Sequence, residues 1–150
     1  MAWRELTESY SDLPESRMLE KGVTSLWSVR DVIAHATWWE EEALKHLPAI
    51  AEGVRPPRYS AVYGGIDAFN ALMTECRSRL SLAEVLRYSA ETHERLIRYL
   101  EDVPEALVAT ETPFRRRLRL DTCGHYPKHA KAIREWRERG DAGWEGGVPH

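Results

Sequence analysis

Residues 27–47 read WSVRDVIAHATWWEEEALKHL and decide the fold of this chain. Ser28 stands at a predicted helix N-cap, and Asp31 follows three residues later, which is the spacing of a capping box. Apolar residues then recur at helical intervals as far as Leu47, and Pro48 predicts that the helix ends before it. The stretch therefore predicts one long amphipathic helix that buries its apolar face.

Two further strong helices are predicted downstream. Ser81 and Glu84 repeat the capping-box spacing and open a run of apolar residues at helical intervals, which Pro104 limits. The last helix is predicted to begin between residues 122 and 125 and to end at about residue 139, before a glycine. Its inward stripe reads His125, Tyr126, His129, Ala130, Ile133, Trp136.

Weaker helical signals cover residues 2–11 and 67–79, and segments rich in turn-forming residues separate the helices. We expect two of these segments, residues 48–66 and 104–121, to be long loops, because proline and glycine interrupt them and helical periodicity is weak. No β-hairpin signal stands out. The chain is therefore predicted to be all-α, an up-and-down four-helix bundle.

The composition predicts one domain over residues 1–150, with a frayed tail from residue 140. The 21 Lys and Arg residues and 24 Asp and Glu residues give a net charge of -3, which argues against a nucleic-acid partner because such proteins usually carry a basic excess. No apolar run reaches the roughly 18 residues of a membrane span, and the N-terminus lacks the apolar core of a signal peptide. With only two cysteines, we expect a cytoplasmic protein with free thiols.

The most informative polar residues are histidines. His125 and His129 are four residues apart, so on a helix both imidazoles lie on one face and can reach a single cation. Such a spacing also arises by chance, as a solvated or hydrogen-bonded pair. The face continues through Ile133 and is flanked by Tyr126 and Trp136, which indicates burial. Tyr126 replaces the general-base glutamate of a zincin motif, so a metalloprotease of that kind is excluded.

His35 is a candidate third ligand or, taken alone, a structural core histidine. It shares one narrow sector of the first long helix with Asp31, Glu42 and His46. Asp31 lies one turn before His35 and is a candidate to orient it, and Glu42 is a candidate base or extra ligand. Acidic residues at a helix edge are otherwise simply solvated. His93, in the helix that Ser81 opens, is predicted to be a hydrogen-bonded core histidine.

Three stretches of the chain carry a family resemblance: WSVRDVIAH at 27–35, WE at 39–40, and HYPKH at 125–129 with Ile133 and Trp136 after it. Together they resemble the DinB/YfiT-like superfamily of four-helix bundles, over roughly residues 20–139.

The resemblance implies one divalent transition metal, nickel, zinc, iron or manganese, bound by a histidine of the second helix and two at the start of the fourth. At the matched positions these are His35, His125 and His129. Pro127 lies inside the last motif and is compatible with it only in the first turn of a helix.

Members of the superfamily include S-transferases that use low-molecular-weight thiols such as bacillithiol, and maleylpyruvate isomerases that use mycothiol. The resemblance therefore implies a metal-dependent hydrolase or thiol-dependent transferase that acts on a small electrophilic compound as a monomer or homodimer. The ClbS/DfsB-like branch resembles the chain in length and in its Trp-rich second helix. It implies the alternative, a non-enzymatic bundle that binds or sequesters a small molecule and whose histidines are structural.

Residues 114–120 read FRRRLRL and are predicted to be extended, which places Arg115, Arg117 and Arg119 on one side. One interpretation is a solvated basic edge. The other is an anion clamp near the metal, because guanidinium groups bind carboxylate or phosphate with two hydrogen bonds and the thiol cofactors of the superfamily are anionic.

Overall fold

A computed structural model describes the backbone of residues 2–145 and the side chains of residues 2–140. In this part of the chain the regular secondary structure is helical, and the only β-type pairing is an isolated bridge between Thr24 and Trp27. The all-α class is therefore confirmed, while the up-and-down order of four helices stays a prediction. In chain order the helices are α1 (Ala2–Glu8), α2 (Glu15–Met18), α3 (Val29–Ala51), α4 (Tyr59–Val62), α5 (Ile66–Arg77), α6 (Leu82–Glu101), α7 (Ala106–Ala109), α8 (Pro113–Asp121) and α9 (Tyr126–Glu145).

The start of α3 forms as the sequence predicts. The backbone N–H of Asp31 donates to Ser28 Oγ at 3.2 Å, and the backbone N–H of Ser28 donates to the Asp31 carboxylate at 3.0 Å, which completes a capping box. The helix packs against α2, α5, α6, α8 and α9, and Val29, Val32 and Leu47 are fully buried. α3 is therefore the helix around which the others are arranged.

Buried apolar residues form two clusters along α3. The larger joins the first half of α3 to α6 and α9 through residues such as Val85 and Ile133. The smaller joins the second half of α3 to α6 and α8 through Leu96 and Phe114. The two clusters therefore hold α8 and α9 against α3.

The end of α3 differs from the prediction, because the helix passes through Pro48 and continues to Ala51. Pro48 removes one backbone donor, but it is exposed, so water can hydrate the carbonyl that loses its partner. Beyond it, Ile50 and Ala51 pack against the smaller cluster. That packing favours another helical turn over the predicted loop.

The predicted loops at residues 48–66 and 104–121 are only partly irregular. The first contains the end of α3 and all of α4, and the second contains α7 and α8. The weaker helical signals at residues 2–11 and 67–79 correspond to α1 and α5, which differ from them by a few residues at their ends.

The prediction that residues 114–120 are extended is wrong, because they form most of α8. Thr112 caps this helix by accepting a hydrogen bond from the third backbone N–H that follows it, at 3.1 Å, and Pro113 occupies the first turn. Phe114 and Asp121 are buried seven residues apart, on one helical face. The burial of these two side chains stabilises the helix. The arginines between them interrupt the pattern of apolar residues from which a helix would be predicted.

The predicted end of the last helix at Gly140 is also wrong, since α9 continues to Glu145. A single glycine costs a helix interior only about 1 kcal/mol. Here a Cβ on Gly140 would lie 3.2 Å from the guanidinium of Arg17, so the glycine makes room for that contact. Residues 140–145 of the predicted frayed tail are therefore helical, and residues 146–150 lie outside the described residues.

Two predictions drawn from composition can be compared with the structure. Cys76 and Cys123 are both free thiols, as expected, and both are exposed. None of the described helices is long and apolar enough to cross a membrane.

Arg30 ties the start of α3 to the end of α5. Only 9% of its surface is exposed, and its guanidinium donates to the backbone carbonyls of Leu80 at 3.0 Å and Arg77 at 2.6 Å. It also donates to the Asp31 carboxylate at 2.8 Å. The Arg77 carbonyl ends α5 and also accepts the backbone N–H of Leu80 at 3.2 Å, so Arg30 adds a charged donor to the turn that joins α5 to α6.

We predict that Arg30→Met lowers the free energy of unfolding by roughly 2–4 kcal/mol, because it keeps the side-chain volume and removes the donors to two part-buried carbonyls. Chemical denaturation followed by circular dichroism measures this. The matched control is Arg87→Met, since Arg87 pairs with Glu91 while 59% and 60% of the two side chains are exposed, and we expect a change of under about 0.5 kcal/mol. Equal effects of the two substitutions would contradict the role given to Arg30.

Candidate metal centre

Three histidines from distant parts of the chain meet at one point. His35 comes from the first half of α3, His125 immediately precedes α9, and His129 lies in the first turns of α9. Nε2 of His125 lies 3.0 Å from Nε2 of His35 and 2.9 Å from Nε2 of His129. The structure therefore brings together the three residues that the sequence proposes as metal ligands, and one ligand atom from each lies within 4.8 Å of the others.

A tight turn between α8 and α9 places His125. The backbone N–H of Gly124 donates to the carbonyl of Arg119 at 2.8 Å, and that of His125 donates to the carbonyl of Thr122 at 2.8 Å. A Cβ on Gly124 would lie 2.8 Å from the same Arg119 oxygen, so the turn accepts only glycine without moving its backbone. Pro127 then occupies the first turn of α9, where its missing N–H costs no helical hydrogen bond.

Aromatic rings, rather than a carboxylate, hold His35. Its ring packs against Trp27 at 4.7 Å and meets Trp38 edge to face at 4.9 Å. The prediction that Asp31 orients His35 is wrong, because the Asp31 carboxylate is used by the capping box and by Arg30. Nδ1 of His35 and Nδ1 of His125 are buried and have no hydrogen-bond partner among the described residues.

Burial keeps all three imidazoles neutral. It lowers the pKa of His35 to about 2, that of His125 to about 4 and that of His129 to about 3. Repulsion among the rings acts in the same direction on His35 and His129, and the nearby Lys128 ammonium lowers the pKa of His125 and His129 further. At pH 7 the site therefore presents nitrogen lone pairs and no positive charge.

Hydrogen bonding alone does not satisfy this arrangement. Nε2 of a neutral imidazole carries either one proton or one lone pair, so Nε2 of His125 can make one good hydrogen bond but has two neighbours at hydrogen-bond distance. A transition metal lies about 2.0–2.1 Å from a ligating nitrogen, and bond angles of roughly 90–110° then separate two nitrogens by about 2.9–3.4 Å. The two separations that involve His125, 2.9 and 3.0 Å, fall at the short end of that range, and the ligand atoms of His35 and His129 lie within 4.8 Å of each other, so the donor set suits a metal bound between the three residues.

A pocket of about 360 Å³, which we call the metal pocket, opens beside the histidines. It lies between α3, α4, α5 and α8, and its wall contains both aromatic and charged groups. The lining residues are His35, Trp39, Tyr59, Ile66, Asn70, Arg117, Leu120, Asp121 and His125.

A chain of four hydrogen-bonded polar side chains runs beside the metal pocket, and three of them, Tyr59, Arg117 and Asp121, line it. The hydroxyl of Tyr59 donates to Glu42 at 3.1 Å and accepts from Arg117, which in turn donates from Nε to Asp121 at 2.6 Å. Burial raises the pKa of Asp121 to about 6, although the Arg117 guanidinium opposes this. Burial also raises the pKa of Tyr59, so its phenol stays protonated.

The structure separates the three arginines of the predicted anion clamp. On a helix, residues two apart point in different directions, so the shared side expected for an extended segment does not exist. Arg117 faces the metal pocket, Arg115 is exposed, and Arg119 pairs with Glu111 at 2.8 Å. Only Arg117 reaches the site in this structure.

Glu42, the other predicted acidic group, is buried but lies outside the three-histidine cluster. It accepts from Tyr59, and its carboxylate lies 3.6 Å from Nε2 of His46. Burial lowers the pKa of His46, and Arg117 lowers it further. Glu42 therefore contributes to the pocket wall through Tyr59.

Sequence reasoning missed Tyr59 and Asn70. Oδ1 of Asn70 accepts from the indole N–H groups of both Trp38 and Trp39, at 3.2 and 3.1 Å. Because an indole only donates, this pairing fixes which end of the amide faces the tryptophans. Neither residue has a short-range signal, since their partners lie far away in the chain.

His93 is hydrogen-bonded, as predicted, but it is only partly buried, with 19% of its side chain exposed. Its Nδ1 lies 2.8 Å from a carboxylate oxygen of Glu40, which is 1% exposed, and its ring stacks on Trp3 at 4.0 Å. It takes no part in the three-histidine cluster.

We predict that the metal-free protein loses stability as the pH falls below 6.5. The folded-state pKa of His129 lies near 3, below its ordinary value of 6.5, so between these values the unfolded chain binds a proton that the folded chain does not. Above pH 6.5 the histidine is neutral in both states and lowers the free energy of unfolding by nothing. Below pH 6.5 the free energy of unfolding falls by at most about 1.4 kcal/mol per pH unit for each such histidine.

The measurement compares wild type with His129→Asn, both with EDTA, by chemical denaturation at pH 7 and 5.5. The comparison is needed because Asp121, with its raised pKa, titrates in the opposite sense. Between pH 7 and pH 5.5 we expect the free energy of unfolding of His129→Asn to fall by about 1 kcal/mol less than that of wild type. Identical pH dependence in the two proteins would show that His129 is not held neutral by the fold.

Comparison with known proteins agrees with the resemblance seen in the sequence. The sequence model of one protein family, the DinB superfamily, matches residues 1–136 of the chain. No curated protein and no solved structure matches the chain significantly. A match over that length, together with a helical fold and a cluster of three histidines, shows that this chain belongs to the DinB superfamily.

Proposed function

We propose that the protein binds one divalent transition-metal ion through His35, His125 and His129 and uses it to act on a small electrophilic compound in the metal pocket. The observation that carries this proposal is the meeting of three neutral Nε2 atoms, two of them at hydrogen-bond distance from the third. Membership of the DinB superfamily fits a metal-dependent, enzyme-like protein.

The donor set favours reactions that begin from a metal with open coordination positions. A divalent ion bound by three neutral imidazoles keeps its full charge and acidifies a water or thiol or polarises a carbonyl, which is the chemistry of a hydrolase or a thiol-dependent transferase. Imidazole suits nickel, zinc and iron, and suits manganese less well.

The residues of the pocket wall supply binding and proton transfer. Arg117 uses Nε and Nη2 for Asp121 and Tyr59, which leaves Nη1 to donate to a substrate oxygen. Asp121 has a pKa of about 6, so it can accept or release a proton near neutral pH. Trp39 adds an aromatic surface to the lining of the metal pocket, against which an apolar group can pack.

The second candidate is the non-enzymatic bundle that binds a small molecule. One observation favours it: Nδ1 of His35 and Nδ1 of His125 are buried with no partner in the described part of the chain, whereas metal-ligating histidines almost always donate from their other nitrogen. In that case the three histidines pack together as structural residues and the metal pocket binds its ligand without chemistry.

Metal content decides between the candidates. We predict that untagged protein, produced with nickel, zinc, iron and manganese in the medium, contains about one equivalent of one of these metals by elemental analysis. His129→Ala should contain less than about a tenth of an equivalent, and the control His46→Ala should bind metal like wild type, because His46 lies outside the cluster. EDTA should lower the melting temperature of wild type by roughly 5–10 °C, as expected when a ligand bound at about 100 times its Kd is removed.

Metal-free wild type with a melting temperature unaffected by added metal or EDTA would contradict metal binding. Catalysis is then tested by the rate of 4-nitrophenyl acetate hydrolysis and by the rate at which the thiol of cysteine displaces bromide from monobromobimane. We expect the metal-loaded protein to accelerate one of them, and His129→Ala to lose at least about 100-fold of that acceleration. Full occupancy by metal with neither reaction accelerated favours the binding function.

A further inference from the structure

A second pocket, of about 440 Å³, adjoins the metal pocket. It lies between the end of α3 with the residues that follow it and the outer side of α8. Arg117 and Leu120 line both pockets, so the two share a wall. Because Arg55 and Arg116 line it together with Arg117, we call it the arginine pocket.

The arginine pocket concentrates positive charge in a chain whose net charge is -3. Three arginine residues line it, and no Asp or Glu of the described part of the chain does. Asp121 neutralises Arg117, but the side chains of Arg55 and Arg116 make no ion pair or hydrogen bond with any described residue. The nearby carboxylate of Glu111 is already engaged by Arg119. Glu111 attracts Arg116 without an ion pair, so Arg55 and Arg116 both line the cavity with no carboxylate paired to them among the described residues.

The same region also exposes large apolar side chains. Leu120 is 64% exposed and lines both pockets, Val54 is 55% exposed and lines the arginine pocket, and Ile66 is 55% exposed and lines the metal pocket. Large apolar residues that stay exposed around a cavity are typical of a surface that a ligand covers. The combination favours a ligand with an apolar body and an anionic head.

We propose that the arginine pocket binds the anionic head, a carboxylate or a phosphate, of a small organic substrate. The guanidinium groups of Arg55 and Arg116 bind the head, and the apolar body passes over Leu120 into the metal pocket. The assignment of this ligand as the substrate rests on the proposed function, whereas the binding of the anion does not require the metal. Guanidinium groups suit this role because they bind carboxylate or phosphate with two parallel hydrogen bonds.

The test compares ligands that share an apolar chain and differ in the head. Hexanoate, hexyl phosphate and the neutral hexanamide are titrated into the metal-loaded protein and into His129→Ala, and binding is followed by NMR chemical shifts in 20 mM KCl. We expect at least one of the two anions to bind about tenfold or more tightly than the amide in both proteins, with a preference that weakens at 200 mM KCl. Which anion binds more tightly tells the carboxylate from the phosphate.

Charge-removing variants assign the preference to the pocket. The double variant R55Q/R116Q should bind both anions no more tightly than the amide, while its affinity for the amide and its metal content stay unchanged. The matched control is R95Q/R134Q, which removes the same charge from exposed positions on α6 and α9 outside both pockets and should bind like wild type. An equal loss in the control would mean that only net charge matters, and would overturn the proposal.

Two other results would also overturn it: equal affinity for anion and amide in wild type, or an anion preference that survives in R55Q/R116Q. Failure of the metal proposal gives a different pattern. Wild type would then contain no metal, and an arginine-dependent preference for anions would still be measured in both wild type and His129→Ala.

Discussion

The centre depends on the close approach of the last turn of α8 to the start of α9. The backbone N–H of Gly124 lies 2.8 Å from the carbonyl of Arg119, and no Cβ fits between the two segments. This turn sets His125 beside His35, and α9 begins directly after it at Tyr126, so that His129 follows one turn later. Burial then keeps the three imidazoles neutral, which lets their nitrogens approach one another without the repulsion of three positive charges.

Features of the site that depend on local sequence were predictable. The capping box at Ser28 marks the start of α3 to the residue, and the four-residue spacing of His125 and His129 places both rings on one side of the chain. The partnership of His35 with a pair 90 residues later came from the family resemblance, since no local pattern relates residues so far apart. The roles of Tyr59 and Asn70 rest on partners 17 and 31 residues away and had no signal at all.

The main error concerned α8, and its cause is physical. Four arginines mask the helical period there, while the buried side of the helix is carried by Phe114 and Asp121. Two signals in the sequence do point to a helix: Thr112 followed by proline, and the four-residue spacing of Arg117 and Asp121. Because α8 is a helix, Arg117 lines both the metal pocket and the arginine pocket. An extended segment would instead have placed Arg115, Arg117 and Arg119 on the same side. Asp31 failed as a partner of His35 because helix capping uses the same carboxylate.

The most direct measurement is anomalous X-ray diffraction from crystals grown with nickel or zinc, recorded on both sides of the absorption edge of the metal. The account predicts one strong anomalous peak per chain, about 2.0–2.2 Å from Nε2 of His35, His125 and His129. Ring nitrogens in direct contact, with no anomalous peak among them in crystals saturated with metal, would contradict it.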